Sequence, residues 1–141
     1  MTTYGKPLPD VDDPLTAPFW KASREGRLVA QECARCGYLR WPPGPVCNEC
    51  LEPGGTWTEL SPTGTLYSYA EYHRALDPAF ADDVPYTVAL VELDDGPRMY
   101  GLLRSPVSTA DIGTRVHAVF EPATPEVTFV HWRRTDDETE R

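Results

Sequence analysis

CARCGYLRWPPGPVCNEC, residues 33–50, holds all four cysteines of the chain, spaced Cys33-x2-Cys36-x10-Cys47-x2-Cys50. A CxxC pair folds as a tight knuckle that aims two thiolates at one point. Two knuckles complete a sulfur tetrahedron at ~2.3 Å around an ion, the arrangement of structural zinc. Gly37, just after the first pair, supplies the left-handed backbone such a turn favours. Trp41, Pro42, Pro43, Gly44 and Pro45 form a stiff spacer that presents the second pair. The expectation is one zinc per chain, held by Cys33, Cys36, Cys47 and Cys50. Four sulfur ligands leave no position for water or substrate, so the ion holds structure and is not a Lewis acid. Iron in the same four sulfurs is one competing reading. A CxxC redox pair is another, and it lacks the βαβ context that usually accompanies it.

Outward from this stretch the chain changes character on each side. Upstream, TAPFWKASREG (16–26) predicts a short helix, with Thr16 as cap, Pro18 in the first turn and Gly26 as stop. Phe19 and Trp20 are large apolar residues on that otherwise charged helix. Two readings stand for them: packing on the rest of the domain, or docking on a partner protein together with Arg24. LVAQ (28–31) reads as a strand leading into the first cysteine pair. Downstream, EPGG (52–55) is a turn and a module boundary.

From Thr56 onward the pattern is all-β. TLYSYAEYH (65–73), YTVALVEL (86–93), RMYGLLR (98–104), RVHAVFE (115–121) and VTFVHW (127–132) are rich in β-branched and aromatic residues, and most are bounded by Gly, Pro or Asp. DDGP (94–97) is a hairpin turn between two of them. With Trp57–Leu60 set aside as a lead-in, five main strands suit a small five-stranded Greek-key barrel.

Composition narrows the partners. The 141 residues carry a formal net charge of −9 and a sequence pI near 4.7, which disfavours nucleic acid, because phosphate binding needs clustered Lys and Arg. Lys21, Arg24, Arg27, Arg35 and Arg40 nevertheless stand close in sequence. They read either as a basic face for an anionic group, or as a solvated helix face plus neutralisation of the zinc site. MTTYGKPLPDVDDP has no basic segment followed by an apolar run, and no stretch approaches a membrane span. The expected compartment is the cytoplasm, where paired cysteines stay reduced and favour metal.

No catalytic constellation emerges. His73, His117 and His131 fall inside or at the end of predicted strands. There is no GxSxG elbow, no spare cysteine nucleophile and no phosphate-binding glycine loop. His73 closes a strand before LDPAFADDVP and reads as a surface histidine.

The strings FWKASREGRLVAQECARCGYLRWPPGPVCNEC (19–50), GTLYSYAEYHRALDPAFADDVPYTVALVELDDGPRMYGLL (64–103) and DIGTRVHAVFE (111–121) together resemble the DUF35 family. The resemblance implies a helical N-terminal hairpin, a rubredoxin-like zinc ribbon and an OB-fold. It implies a non-catalytic accessory subunit of an acyl-CoA-processing complex. The partner would be a thiolase-like enzyme, a lipid-transfer-protein-type aldolase or a MaoC-like hydratase, in a hetero-oligomer that helps accommodate the CoA substrate. Arg74 and Arg98 are candidate contacts for a CoA phosphate, each set against a plain surface arginine. A nucleic-acid-binding ribbon and barrel is the alternative that the charge opposes. The fold expected is mainly β: tail and helix over 1–29, zinc ribbon over 30–54, OB-fold over 55–133, and a disordered acidic tail over 134–141.

Overall fold

The computed structural model describes residues 4–136. The part of the predicted acidic tail from residue 137 onward lies outside them. The helix α1 spans Ala17–Arg24. Thr16 stands at its N-cap, but its side chain makes no capping bond, so the expected cap is positional only. The C-terminus follows the sequence more closely. Gly26 adopts φ 73°, and bonds from Gly26 N to Ser23 O (3.0 Å) and from Arg27 N to Ala22 O (2.9 Å) close the end. That is a Schellman motif, and glycine is what permits it. A single helix stands here among the described residues, where the resemblance implied a helical hairpin.

A first sheet follows, of strands β1 (Leu28–Glu32), β2 (Leu39–Arg40) and β3 (Thr56–Leu60), ordered β2-β1-β3. Trp57–Leu60 is therefore no lead-in to the barrel. β3 pairs along the whole of β1, from Leu28 opposite Leu60 to Glu32 opposite Thr56. The sheet changes partners after Leu60, not at EPGG.

The second sheet contains β4 (Thr63–Tyr72), β5 (Tyr86–Leu93), β6 (Arg98–Leu102), β7 (Arg115–Pro122) and β8 (Thr128–Arg134), in the order β6-β5-β4-β7-β8. All neighbours are antiparallel. A bulge between Leu66 and Ser68 lets β4 bend so that it pairs with β5 along most of its length and with β7 at its start. The ends of the sheet meet in a parallel bridge between Leu103 and Trp132, backed by Arg104 N donating to Trp132 O at 2.7 Å. The result is the nearly closed five-stranded barrel of an OB-fold.

Alternation fills the barrel. Ala89, Val91 and Leu93 of β5 point inward with Leu66, Met99, Val116 and Trp132, all essentially buried. Gly101 lies against the Trp132 indole: a Cβ there would stand 2.7 Å from Trp132 Cδ1. α1 joins the two sheets. Phe19 enters the common core, and the buried Ser23 Oγ donates to Thr128 O at 2.6 Å, tying the helix to β8.

Candidate metal centre

β1 delivers Cys33 into the first knuckle, and β2 carries the chain back along β1. The two knuckles are built alike. Gly37 N donates to Cys33 O and Leu51 N to Cys47 O, each at 3.0 Å. Cys33 N donates to Tyr38 O and Cys47 N to Glu52 O, each at 2.9 Å. Amides also point at sulfur: Arg35 N and Cys36 N at Cys33 Sγ, and Glu49 N at Cys47 Sγ, all at 3.4 Å. These donors stabilise thiolate. The Cys36 amide, against burial and with help from the Arg35 amide and the Cys50 thiol, holds the Cys33 pKa down to about 6.

The sequence placed a left-handed residue at Gly37, and it has φ 78°. It missed the matching position in the second knuckle. Leu51 has φ 67°, and a leucine carries no signal for that conformation.

The four sulfurs form one cluster. Cys33 Sγ and Cys50 Sγ are 3.5 Å apart, Cys36 Sγ and Cys47 Sγ 3.6 Å, and all four lie within 4.8 Å of one another. Sulfurs held ~2.3 Å from a tetrahedral ion stand about 3.8 Å apart, so the donor set fits zinc in both chemistry and span. A bound zinc supplies cross-linking here. The chain's part is to orient four thiolates with backbone amides and to bury Cys33 and Cys47 beneath them.

The second knuckle is anchored by a pair the sequence did not expose. Arg40 is 1% exposed. Its Nε donates to Gln31 Oε1 at 2.8 Å, and its Nη2 to Gly44 O and Gly54 O at 3.1 and 2.7 Å. Gly44 N donates back to Gln31 Oε1 at 2.9 Å. Of the two readings of these cations, the basic face for an anionic group breaks up. Arg40 is inside the ribbon, while Lys21 and Arg27 are paired with Glu25. These pairs hold the Glu25 carboxyl down to about 2, Lys21 first and then Arg27.

The other predicted residues separate. Phe19 is 6% exposed, with its ring 4.4 Å from that of Trp41. A docking role fails there, because the side chain is spent on the chain's own core. Trp20 is half-buried, edge-on to Phe19 and Phe129. Arg24 is exposed and donates to Glu126 O at 2.9 Å. Arg98 stacks 3.9 Å over the Tyr67 ring and pairs with Glu92 at 3.3 Å. Arg74 is exposed and makes no ion pair or hydrogen bond among the described residues. The two arginines do not share a site. Arg98 stands opposite Glu92 at one end of β5, and Arg74 follows Tyr72, opposite Tyr86 at the other, roughly 20 Å away at ~3.3 Å per residue. His73 is a surface residue, as expected, 3.1 Å from Glu71.

A ribbon with a closed four-cysteine site, followed by a five-stranded barrel, defines the class: a zinc-ribbon/OB-fold protein. Family models agree. Residues 20–54 match the rubredoxin-like zinc ribbon domain of ChsH2, and residues 57–121 match its C-terminal OB-fold domain. A DUF35 domain-containing scaffold protein of Methanothermobacter thermautotrophicus is 31% identical over 101 residues, 70% of this chain and 75% of that protein. The chain belongs to the DUF35 family. A probable enoyl-CoA hydratase alpha subunit of Thermomonospora curvata is 40% identical over 117 residues, 82% of this chain. The chain spans 36% of that relative's length. Among solved structures, a chain of an Ltp2-ChsH2(DUF35) aldolase superposes with a TM-score of 0.75 at 36% identity, covering 92% of this chain and 98% of that one. No helix among the described residues is long and apolar enough to cross a membrane.

Proposed function

We propose that this chain is an accessory subunit of an acyl-CoA-processing complex. It binds a thiolase-like or lipid-transfer-protein-type aldolase and helps to accommodate the acyl-CoA. One observation carries the reading: nearly the whole chain superposes on nearly the whole of a chain from the Ltp2-ChsH2(DUF35) aldolase. The scaffold designation of the archaeal relative supports a non-catalytic role, as does a metal centre whose four positions are all sulfur. The proposed setting is the cytoplasm, where the thiolates stay reduced, and the proposed assembly is a hetero-oligomer.

The test is retention of partners by a tagged copy from a native lysate, identified by mass spectrometry. A thiolase-fold or aldolase partner is expected at fixed stoichiometry. If no thiolase-, aldolase- or hydratase-like protein is retained, the reading fails. A second reading, a MaoC-like hydratase as partner, is favoured by the hydratase alpha subunit relative. The same experiment separates the two by which enzyme is held.

A further inference from the structure

The barrel interior is filled by Trp132, Leu66, Val91 and Val116. A second space lies outside that core, where β5 and β8 begin and β6 and β7 end: a cavity of about 610 Å³. It is a cleft partly open to solvent, and its volume falls in the range of small-molecule sites. Four rings from four separate stretches wall it: Tyr4, Phe80, Tyr86 and Phe129. Both cations that line it are already matched. Lys6 meets Asp83 at 3.2 Å, and Arg104 grips Glu121 through bonds of 2.9 and 2.7 Å. An anion entering here finds no free positive charge.

His131 brings a ring nitrogen to the wall. Leu102 N donates to its Nδ1 at 3.1 Å, so the neutral ring carries its proton on Nε2. Glu121 Oε1 stands 4.0 Å from Nε2, beyond hydrogen-bond reach. Burial is the largest influence on the ring and lowers its pKa; Arg104 acts in the same direction, while Glu121 and the Val130 carbonyl oppose. At pH 7 the imidazole is an uncharged donor.

We infer that this cavity binds an uncharged, mostly apolar molecule carrying a carbonyl oxygen, which accepts from His131 Nε2–H while the hydrocarbon lies among the four rings. An acyl thioester has this chemistry, and to that extent the inference rests on the accessory-subunit reading. A free ketone has it too.

The test titrates three probes into the full-length, zinc-loaded chain, followed by amide and imidazole NMR shifts. They are octanoyl-N-acetylcysteamine, a neutral thioester; 2-decanone, a ketone; and octanoate, which is ionised. The neutral probes should saturate one site, moving Tyr86, Leu102 and His131, with octanoate roughly tenfold weaker or worse. A thioester tighter than the ketone names acyl chemistry as the source; the reverse order supports the site with a ketone ligand. His131→Asn keeps an acceptor for Leu102 N–H and removes the Nε2 donor. It should weaken the neutral probes up to roughly tenfold without shifting Tm. If that variant unfolds, Ala123→Phe, which fills the cavity and leaves His131 itself unchanged, should abolish binding. Absence of a saturable shift, octanoate binding as well as the thioester, or undiminished binding by Ala123→Phe each overturns the inference. Every arm uses the isolated chain, so its failure is distinct from a failure to retain a partner enzyme.

Discussion

At Leu51 a single residue departs from its local rule. The two knuckles share one hydrogen-bond pattern, yet the first turns on glycine and the second on a leucine at φ 67°. A left-handed conformation costs a side-chain-bearing residue roughly 1–2 kcal/mol. Leu51 is 73% exposed, so little packing offsets that cost. Leu51→Gly should therefore stabilise the zinc-loaded chain by up to about 1 kcal/mol, after the extra freedom glycine gives the unfolded chain. Urea unfolding checks this, and a lower midpoint would sink it. Glu121 gives a pH prediction. The Arg104 guanidinium, the largest influence, holds its carboxyl below the ordinary 4.5 against the opposing effect of burial. A carboxylate with a depressed folded-state pKa adds stability above its unfolded value and loses it as pH falls through the folded one. Glu121→Gln should then flatten the fall of Tm with acid below about pH 5. An unchanged acid slope would assign that slope to other carboxylates. The knuckle with glycine could be read from sequence, and the one with leucine could not, because tertiary bonds there override residue preference.

Among the elements, the barrel's closure depends on one position that carries no side chain. Gly101 in β6 leaves room for Trp132 of β8, and the same two strands meet in the bridge at Leu103. A Cβ at 101 would lie 2.7 Å from the indole and 2.8 Å from Val130 O. The second neighbour is backbone and cannot swing aside. Gly101→Ala should cost roughly 1–3 kcal/mol by forcing the strands apart, read as a fall in the urea midpoint with loss of amide protection at Arg104. If stability is unchanged, the closure is looser than this geometry requires. The five barrel strands were legible because period-two alternation and the turns around them agree. Observed β5, Tyr86–Leu93, matches the predicted YTVALVEL segment in full. β3 was not legible as part of the ribbon. Its residues read as a strand, but alternation does not say which sheet a strand joins. Where β3 enters the ribbon, Gly55 approaches β1 so closely that a Cβ there would stand 2.8 Å from Glu32 O. Likewise His131 is far more buried than His73, although both lie in similar β sequence, because β8 is covered by the loop and N-terminal segment that wall the cavity.

For the molecule as a whole, α1 and the metal centre fix how the ribbon meets the barrel. Phe19 and Ser23 bind the helix to both units. The metal-binding end of the ribbon is closed by four sulfurs and the Arg40–Gln31 pair, whereas Leu28, Ala30 and Leu60 of its sheet belong to the core shared with the barrel. The two knuckles lie beyond that core and depend on the metal for order, whereas the shared core runs on into the barrel around Trp132. Removing zinc with a chelator should thus abolish amide protection in the two knuckles and β2 while β4–β8 stay protected. If docking runs through the ribbon and the exposed side of α1, the same treatment should cut retention of the proposed partner enzyme about tenfold or more, a change of ~1.4 kcal/mol. Zinc should restore both. Hydrogen exchange and pull-down on one preparation give the two readouts together. Full retention by metal-free protein, with the knuckles demonstrably unfolded, would remove the metal-bound end of the ribbon from the docking surface.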